Sequence, residues 1–326
     1  MPVSVVEVYD SVSRNAQIKK LPLTSIGLAY GIVHQLPVVF RDVVDSLVQR
    51  KEVLTNLRAL ALSAVGQSVI GMTILSADQE SKPPFDRTNM QLGMYINALL
   101  DVPILASGYY LQQIDMKEIL PSLLIDASIC SYGPCALLSA INPRYCHEPT
   151  FYIGKAGTKT SLHYDRSSSE YAYSAHHSSD PGKHNVFLQI SGARKFYLFQ
   201  PTNAYSYDSG YSGEYDFDSM LPSEGSAGPH ISQSTTFLHT VPEGTEHEQI
   251  QYILNSEFPS LVHAWKNRLE IILNAGHALF IPAKTWHFTR IVESGVALNW
   301  WFATESCEQL PQTRVIDGLA NDNWIE

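Results

Sequence analysis

The 326 residues, 44% apolar and 17% charged, suffice to bury a large core and exclude a wholly disordered chain. A net charge of −10 speaks against a general nucleic-acid-binding or anionic-membrane surface, so the expected partners are proteins, peptides or small molecules. Four cysteines in a chain this long make no disulfide scaffold, and Met1-Pro-Val-Ser lacks a basic run followed by an apolar one, so a cytoplasmic location is expected.

Residues 1–149 read as a mixed helix and strand region packed on the C-terminal half of the chain. A short strand is expected near Val38, helical patterns over Val43 to Leu62 and Met90 to Leu100, and a further helix from Lys117 to Ile125. The longest apolar stretch, Ala59 to Leu75, falls short of the ~20 apolar residues a membrane helix needs. It reads as a helix, a turn at Gly66 and a strand from Val69 to Leu75. Pro83-Pro84 marks a loop, because consecutive prolines continue neither a helix nor a central strand. Cys130, Cys135 and Cys146 with His147 are loosely spaced for structural zinc and read better as buried thiols.

From residue 150 the chain changes to short apolar runs broken by Gly and Pro. Gly157 to Asp165, Asn185 to Gly192, Arg194 to Pro201, Glu270 to Pro282 and Gly295 to Phe302 read as strand blocks, and Gly192-Ala193 as a tight hairpin between two half-buried strands. Runs of this kind argue for a mainly β fold with flanking helices, an antiparallel barrel or jelly roll over 150–303. Two polar insertions, near 166–184 and 202–250, interrupt it. The first follows Asp165 directly, so it is either a substrate lid or a merely mobile loop. His176, His177 and His184 belong to that Ser-rich stretch and read as solvated. A tail, 304–326, contains Pro311 and Gly318.

Within the first block, His163 and Asp165 stand two residues apart. Strand geometry points both at one face while Tyr164 turns away. With His287 from a distant strand they would make two imidazoles and one carboxylate around a single ion, leaving positions open, as in non-haem Fe(II) oxygenases. Further on, Arg194 and Lys195 are adjacent, and alternation lets only one of them point inward.

Thr160-Ser-Leu-His-Tyr-Asp165, Gln189-Ile-Ser-Gly192 with Leu198-Phe-Gln-Pro201, Gly276-His-Ala-Leu-Phe-Ile-Pro282 with Trp286-His287, and Asn299-Trp-Trp-Phe302 carry a family likeness. They resemble the JmjC or cupin-like Fe(II)/2-oxoglutarate oxygenases, the asparaginyl hydroxylases most of all. Pro37-Val-Val-Phe-Arg41, Tyr109-Tyr-Leu-Gln-Gln113 and Glu257-Phe-Pro259 extend the likeness upstream of the second block. The resemblance implies a double-stranded β-helix core, Fe(II) on His163, Asp165 and His287, and 2-oxoglutarate and dioxygen as cosubstrates. The reaction would release succinate and CO2 and hydroxylate an amino-acid side chain in a protein or peptide, an N-methyl-lysine, or a small metabolite. The acidic balance and lack of reader domains tilt away from chromatin.

Matched to the family's Gly-x-Lys pattern, Gly192-Ala-Arg194 selects Arg194 for the distal carboxylate of 2-oxoglutarate, an Arg where Lys is usual. Its guanidinium suits a carboxylate. Thr160 and Tyr110 match hydroxyl donors to that same carboxylate, and Asn185 and Asn299 match asparagines lining the cofactor pocket. Gln112 and Gln113 are candidates for substrate contact, and Trp286, Trp300 and Trp301 for core or wall. The asparaginyl hydroxylases dimerise through paired C-terminal helices, for which the tail offers no pattern, so any dimer is expected to use another surface. Two other readings stay open: a cupin that binds metal or ligand without catalysis, and a metal enzyme that uses no cosubstrate.

Overall fold

A computed structural model of the chain describes residues 6–8, 28, 31–32, 35–41, 56–75, 80–81, 86–115, 150–165, 183–199, 265 and 268–303. Its elements are β1 (Val6–Val8), β2 (Val38–Phe40), α1 (Leu57–Leu62), β3 (Val69–Ile74), β4 (Glu80–Ser81), β5 (Arg87–Gln91), α2 (Leu92–Asp101), α3 (Pro103–Ala106) and β6 (Tyr109–Asp115). They continue with β7 (Thr150–Gly154), β8 (Lys159–His163), β9 (Lys183–Gln189), β10 (Ala193–Phe199), β11 (Leu269–Asn274), β12 (Ala278–Ile281), β13 (Trp286–Glu293) and β14 (Gly295–Ala303). The stretch from Ala59 takes its expected course, with α1, a 3-10 turn at Ala64–Gln67 and β3. Asn56 starts α1 by accepting hydrogen bonds from the Arg58 and Ala59 amides. Among the described residues no helix is long and apolar enough to cross a membrane.

Several expected features lie outside the described residues. They are Pro83-Pro84, the first part of the helical pattern from Val43, the helix over Lys117 to Ile125, the three cysteines with His147, Glu257-Phe-Pro259, both insertions up to residue 182 and over 202–250, and the tail.

The strands form two sheets. The larger runs β1-β2-β12-β9-β14-β7-β6-β3-β5 and the smaller β11-β10-β13-β8-β4. From β7 to β10 the chain alternates between large and small sheet, and from β11 to β14 between small and large. Two layers woven in this order, antiparallel except for the edge pair β4–β8, are a jelly-roll core of the double-stranded β-helix type. No break in the large sheet falls at residue 150, because β6 pairs directly with β7.

Side-chain alternation sorts the large sheet into two apolar layers. Phe151, Ile153, Val186, Leu188, Val296, Leu298, Trp300 and Phe302 face one layer with Leu57, Leu60, Tyr95 and Ile96 of the helices. Tyr152, Phe187, Leu279 and Ala297 face the other and meet Phe196, Leu198, Ile271, Leu273 and Ile291 of the small sheet. β9 is therefore buried on both faces rather than half-buried.

The expected hairpin at Gly192-Ala193 is corrected. β9 belongs to the large sheet and β10 to the small one, so the turn carries the chain across the sandwich. Gly192 has φ +72°, and a Cβ there would lie 2.5 Å from the Ser294 carbonyl oxygen of the opposing β13–β14 corner. A Cβ on Gly295 would lie 1.9 Å from the Ser191 oxygen. Two sheet-crossing corners sit back to back, and only glycine permits that approach.

Gly154 permits a similar close approach beside the lumen. A Cβ there would meet Ile291 Cδ1 at 2.1 Å and Tyr110 Cε2 at 2.9 Å, so its missing side chain is what seats the Tyr110 ring. Gly154→Ala should cost about 1–3 kcal/mol by overpacking, read as a lowered urea midpoint. Unchanged stability would mean that the two sheets are not in contact at this point.

Candidate metal centre

β8 and β13 place His163 directly opposite His287. Their ring centroids are 4.3 Å apart at 50°. β8 ends at His163, and Asp165 lies just beyond it, with its carbonyl oxygen accepting from the Lys183 amide at 2.7 Å. The donor atoms of His163, Asp165 and His287 all lie within 4.8 Å of one another, close enough to share one ion. His163 Nε2 and Asp165 Oδ1 are 4.0 Å apart, too far for a hydrogen bond between them. Tyr164 turns away and packs edge-on against Trp286, with centroids 5.1 Å apart.

Two of these candidate ligands are each oriented by a neighbour. Asn185 Nδ2 donates to Asp165 Oδ2 at 3.0 Å, which leaves Oδ1 on the side of His163. His287 Nδ1 lies 2.9 Å from the Thr285 carbonyl oxygen. A carbonyl only accepts, so Nδ1 carries the proton and Nε2 keeps its lone pair for a metal. Burial, reinforced by His163 and opposed by Asp165, holds the His287 imidazole well below its ordinary value, at about 4. It is neutral at pH 7, the form that ligates.

His184 departs from its expected solvated state, being fully buried, and burial alone holds it at about 4. Its ordinary value is 6.5, so below that pH the unfolded chain binds a proton that the folded one refuses. Its contribution is therefore complete above pH 6.5 and lost progressively as pH falls toward 4, by roughly 3 kcal/mol. His287 acts in the same direction. Urea titrations of metal-free protein from pH 7.5 to 4.5 should show that decline, and a flat profile would contradict it.

The second part of the site lies further along the same inner face. A bulge in the β8–β13 pairing puts Thr160 opposite Thr289 while His163 stays opposite His287. Residues three apart on β8 thereby share the face of residues two apart on β13. Arg194 is 4% exposed, and its guanidinium donates to the Tyr110 hydroxyl at 2.8 Å and to Thr289 Oγ1 at 3.4 Å. It also lies 4.9 Å from the Phe187 ring centroid. Its Nε has no hydrogen-bond partner, and no carboxylate among the described residues pairs with it. Lys195 points the other way, to Glu270 at 2.7 Å. A buried cation whose partners among the described residues are neutral is a candidate anion site. Thr289 lies two positions along β13 from His287, about 7 Å on an extended strand.

Asn299 is buried, and its side-chain oxygen accepts from the Thr150 hydroxyl. Gln112 is buried and donates to Thr73 Oγ1 at 3.2 Å, whereas Gln113 is exposed with φ +55°. Trp300 lies in the outer layer and Trp301 packs on the lumen cluster. Thr289, Tyr152 and Phe187 also line the site, although no sequence motif singles them out. Tyr152 tilts against both Tyr110 and Phe187, with centroids 6.3 and 5.9 Å away. Thr289 and Phe187 each stand two residues from a recognised position, His287 and Asn185, and that period is the signal the sequence offers for them, whereas nothing recognised stands beside Tyr152.

Comparison with known proteins agrees with this architecture. The chain is 29% identical over 164 residues to lysine-specific demethylase JMJ31 of Arabidopsis thaliana, covering 50% of this chain and 24% of that protein. It is 26% identical over 196 residues to JmjC domain-containing protein D of Dictyostelium discoideum, covering 58% and 34%. To JmjC domain-containing protein C of that organism it is 25% identical over 165 residues, covering 50% and 30%. The matched part thus spans between about a quarter and a third of each relative. The likeness to asparaginyl hydroxylases in particular rests on the motifs alone. The pattern of the cupin-like domain matches residues 32–308, which include every described strand but β1, and the chain belongs to that family.

Proposed function

We propose that this protein is an Fe(II)- and 2-oxoglutarate-dependent dioxygenase that hydroxylates a side chain of a protein or peptide, or a small metabolite. One observation carries the reading: a His/Asp/His set and a buried Arg194, with no acid partner among the described residues, share one inner face of the barrel. His163, Asp165 and His287 would hold the metal, leaving positions for the keto acid and oxygen. Bound together, the two would supply oxygen activation, with 2-oxoglutarate decarboxylated to succinate and CO2.

The chain's own part is binding, orientation and exclusion of water. Asn185 and the Thr285 carbonyl set the angles of Asp165 and His287. Arg194 and Tyr110, with Thr289 and Thr160 beside them, would bind the distal carboxylate. Tyr152 and Phe187 keep that end of the lumen apolar, which strengthens the charge pairing. Asn299, whose side-chain oxygen accepts from Thr150, would line the cofactor pocket.

The direct test is succinate formation with Fe(II), ascorbate and 2-oxoglutarate across peptides and metabolites. N-methyl-lysine peptides belong in that panel because one relative is named a demethylase. A quicker test is thermal stabilisation by Mn(II) with N-oxalylglycine, since a ligand selective for the folded state raises its stability. Stabilisation by Mn(II) alone, with none added by the keto-acid analogue and no succinate, would favour a cupin or metal enzyme without a cosubstrate.

A further inference from the structure

His184 and Asn185 are consecutive on β9 and so lie on opposite faces of the large sheet. Asn185 faces the lumen and holds Asp165. His184 faces the outer apolar layer, with its ring 5.4 Å from that of Phe280 and 5.1 Å from that of Phe302. A polar ring in such a layer is costly unless it satisfies another buried group. Its Nδ1 accepts from the Ala283 amide at 2.9 Å, and Ala283 is itself 4% exposed.

Ala283 lies in the turn between β12 and β13. The Thr285 amide closes that turn by donating to the Pro282 carbonyl at 3.2 Å. Within it Lys284 has φ +59°, a left-handed conformation that a lysine rarely adopts, so the turn needs outside support. Thr285 then offers its carbonyl to His287 Nδ1. A continuous path runs from the outer face of β9, through the turn, to a metal ligand.

We infer that His184 is a positioning residue, which clamps the 282–285 turn so that Thr285 can orient His287. With Asn185 beside it, β9 becomes the common support of two metal-binding arms approaching from different strands. The inference rests on the metal reading above.

Two substitutions separate positioning from packing. His184→Phe fills the ring's place in the apolar layer but leaves the Ala283 amide bare. His184→Asn fits that layer poorly but keeps an acceptor where Nδ1 stood. Mn(II) titration calorimetry on the full chain should give an affinity about 10-fold weaker for His184→Phe, with His184→Asn within about 3-fold of wild type. Packing alone predicts the opposite order. A His184→Phe protein that binds Mn(II) as tightly as wild type, or more tightly than His184→Asn, would overturn the inference.

Should either variant fail to fold, hydrogen exchange on the wild type decides. Mn(II) should raise protection at 282–286 and at 183–186 together, and protection at 282–286 alone would overturn the inference. A wild-type chain that binds no Mn(II) fails the metal reading itself and takes this inference with it.

Discussion

Asp165→Ala is expected to abolish specific Mn(II) binding and to lower any Fe(II)-dependent turnover by about 100-fold or more, since it removes the only anionic ligand of the three. The carboxylate is well placed to ligate, because Asn185 occupies Oδ2 while Oδ1 lies 4.0 Å from His163 Nε2 with no hydrogen bond between them. Asp165→Asn keeps the shape and removes the charge, so it should weaken metal while preserving the fold. Asn185→Ala should act through Asp165 and cost about 10-fold in metal affinity. Calorimetric Mn(II) titrations and succinate assays check all three. Undiminished binding in Asp165→Ala would move the metal elsewhere and remove the basis of the functional reading.

Arg194→Ala should raise the KM for 2-oxoglutarate about 100-fold, equivalent to ~2.7 kcal/mol, as for a buried charge deprived of its partner. Lys195→Ala should change it less than about 3-fold. Lys195 reaches outward to Glu270, and pairs that far exposed contribute little. A second consequence separates an anion site from a structural arginine. Among the described residues the buried guanidinium has hydroxyl and aromatic neighbours and no acid, so Arg194→Met should leave metal-loaded protein at least as stable as wild type. The same variant should lose the stabilisation that N-oxalylglycine adds. Strong destabilisation of Arg194→Met, with that stabilisation retained, would reassign Arg194 to the scaffold.

The candidate site is legible in sequence where its logic is local. His163 and Asp165 announce themselves by a two-residue spacing, and the change from mixed elements to short Gly- and Pro-broken apolar runs near residue 150 points to the jelly roll. The turn at Gly192 reads wrongly as a hairpin, because a glycine that reverses a chain within one sheet and one that hands it to another look alike in sequence. His184 reads as part of the polar segment it borders, yet it is the first buried residue of a strand covered on both sides.

By itself the sequence determined what alternation and residue chemistry determine: which side chains can share a face, which runs are strands, and that only one of Arg194 and Lys195 points inward. The family likeness pointed to Arg194, and only tertiary structure brought Thr289, Tyr110 and Phe187 to it from three other strands. It likewise joined His184 to a turn 99 residues away. The reason is that side-chain direction repeats every two residues along any strand. The partner opposite each residue depends on register, bulges and sheet order, which no single stretch of chain encodes.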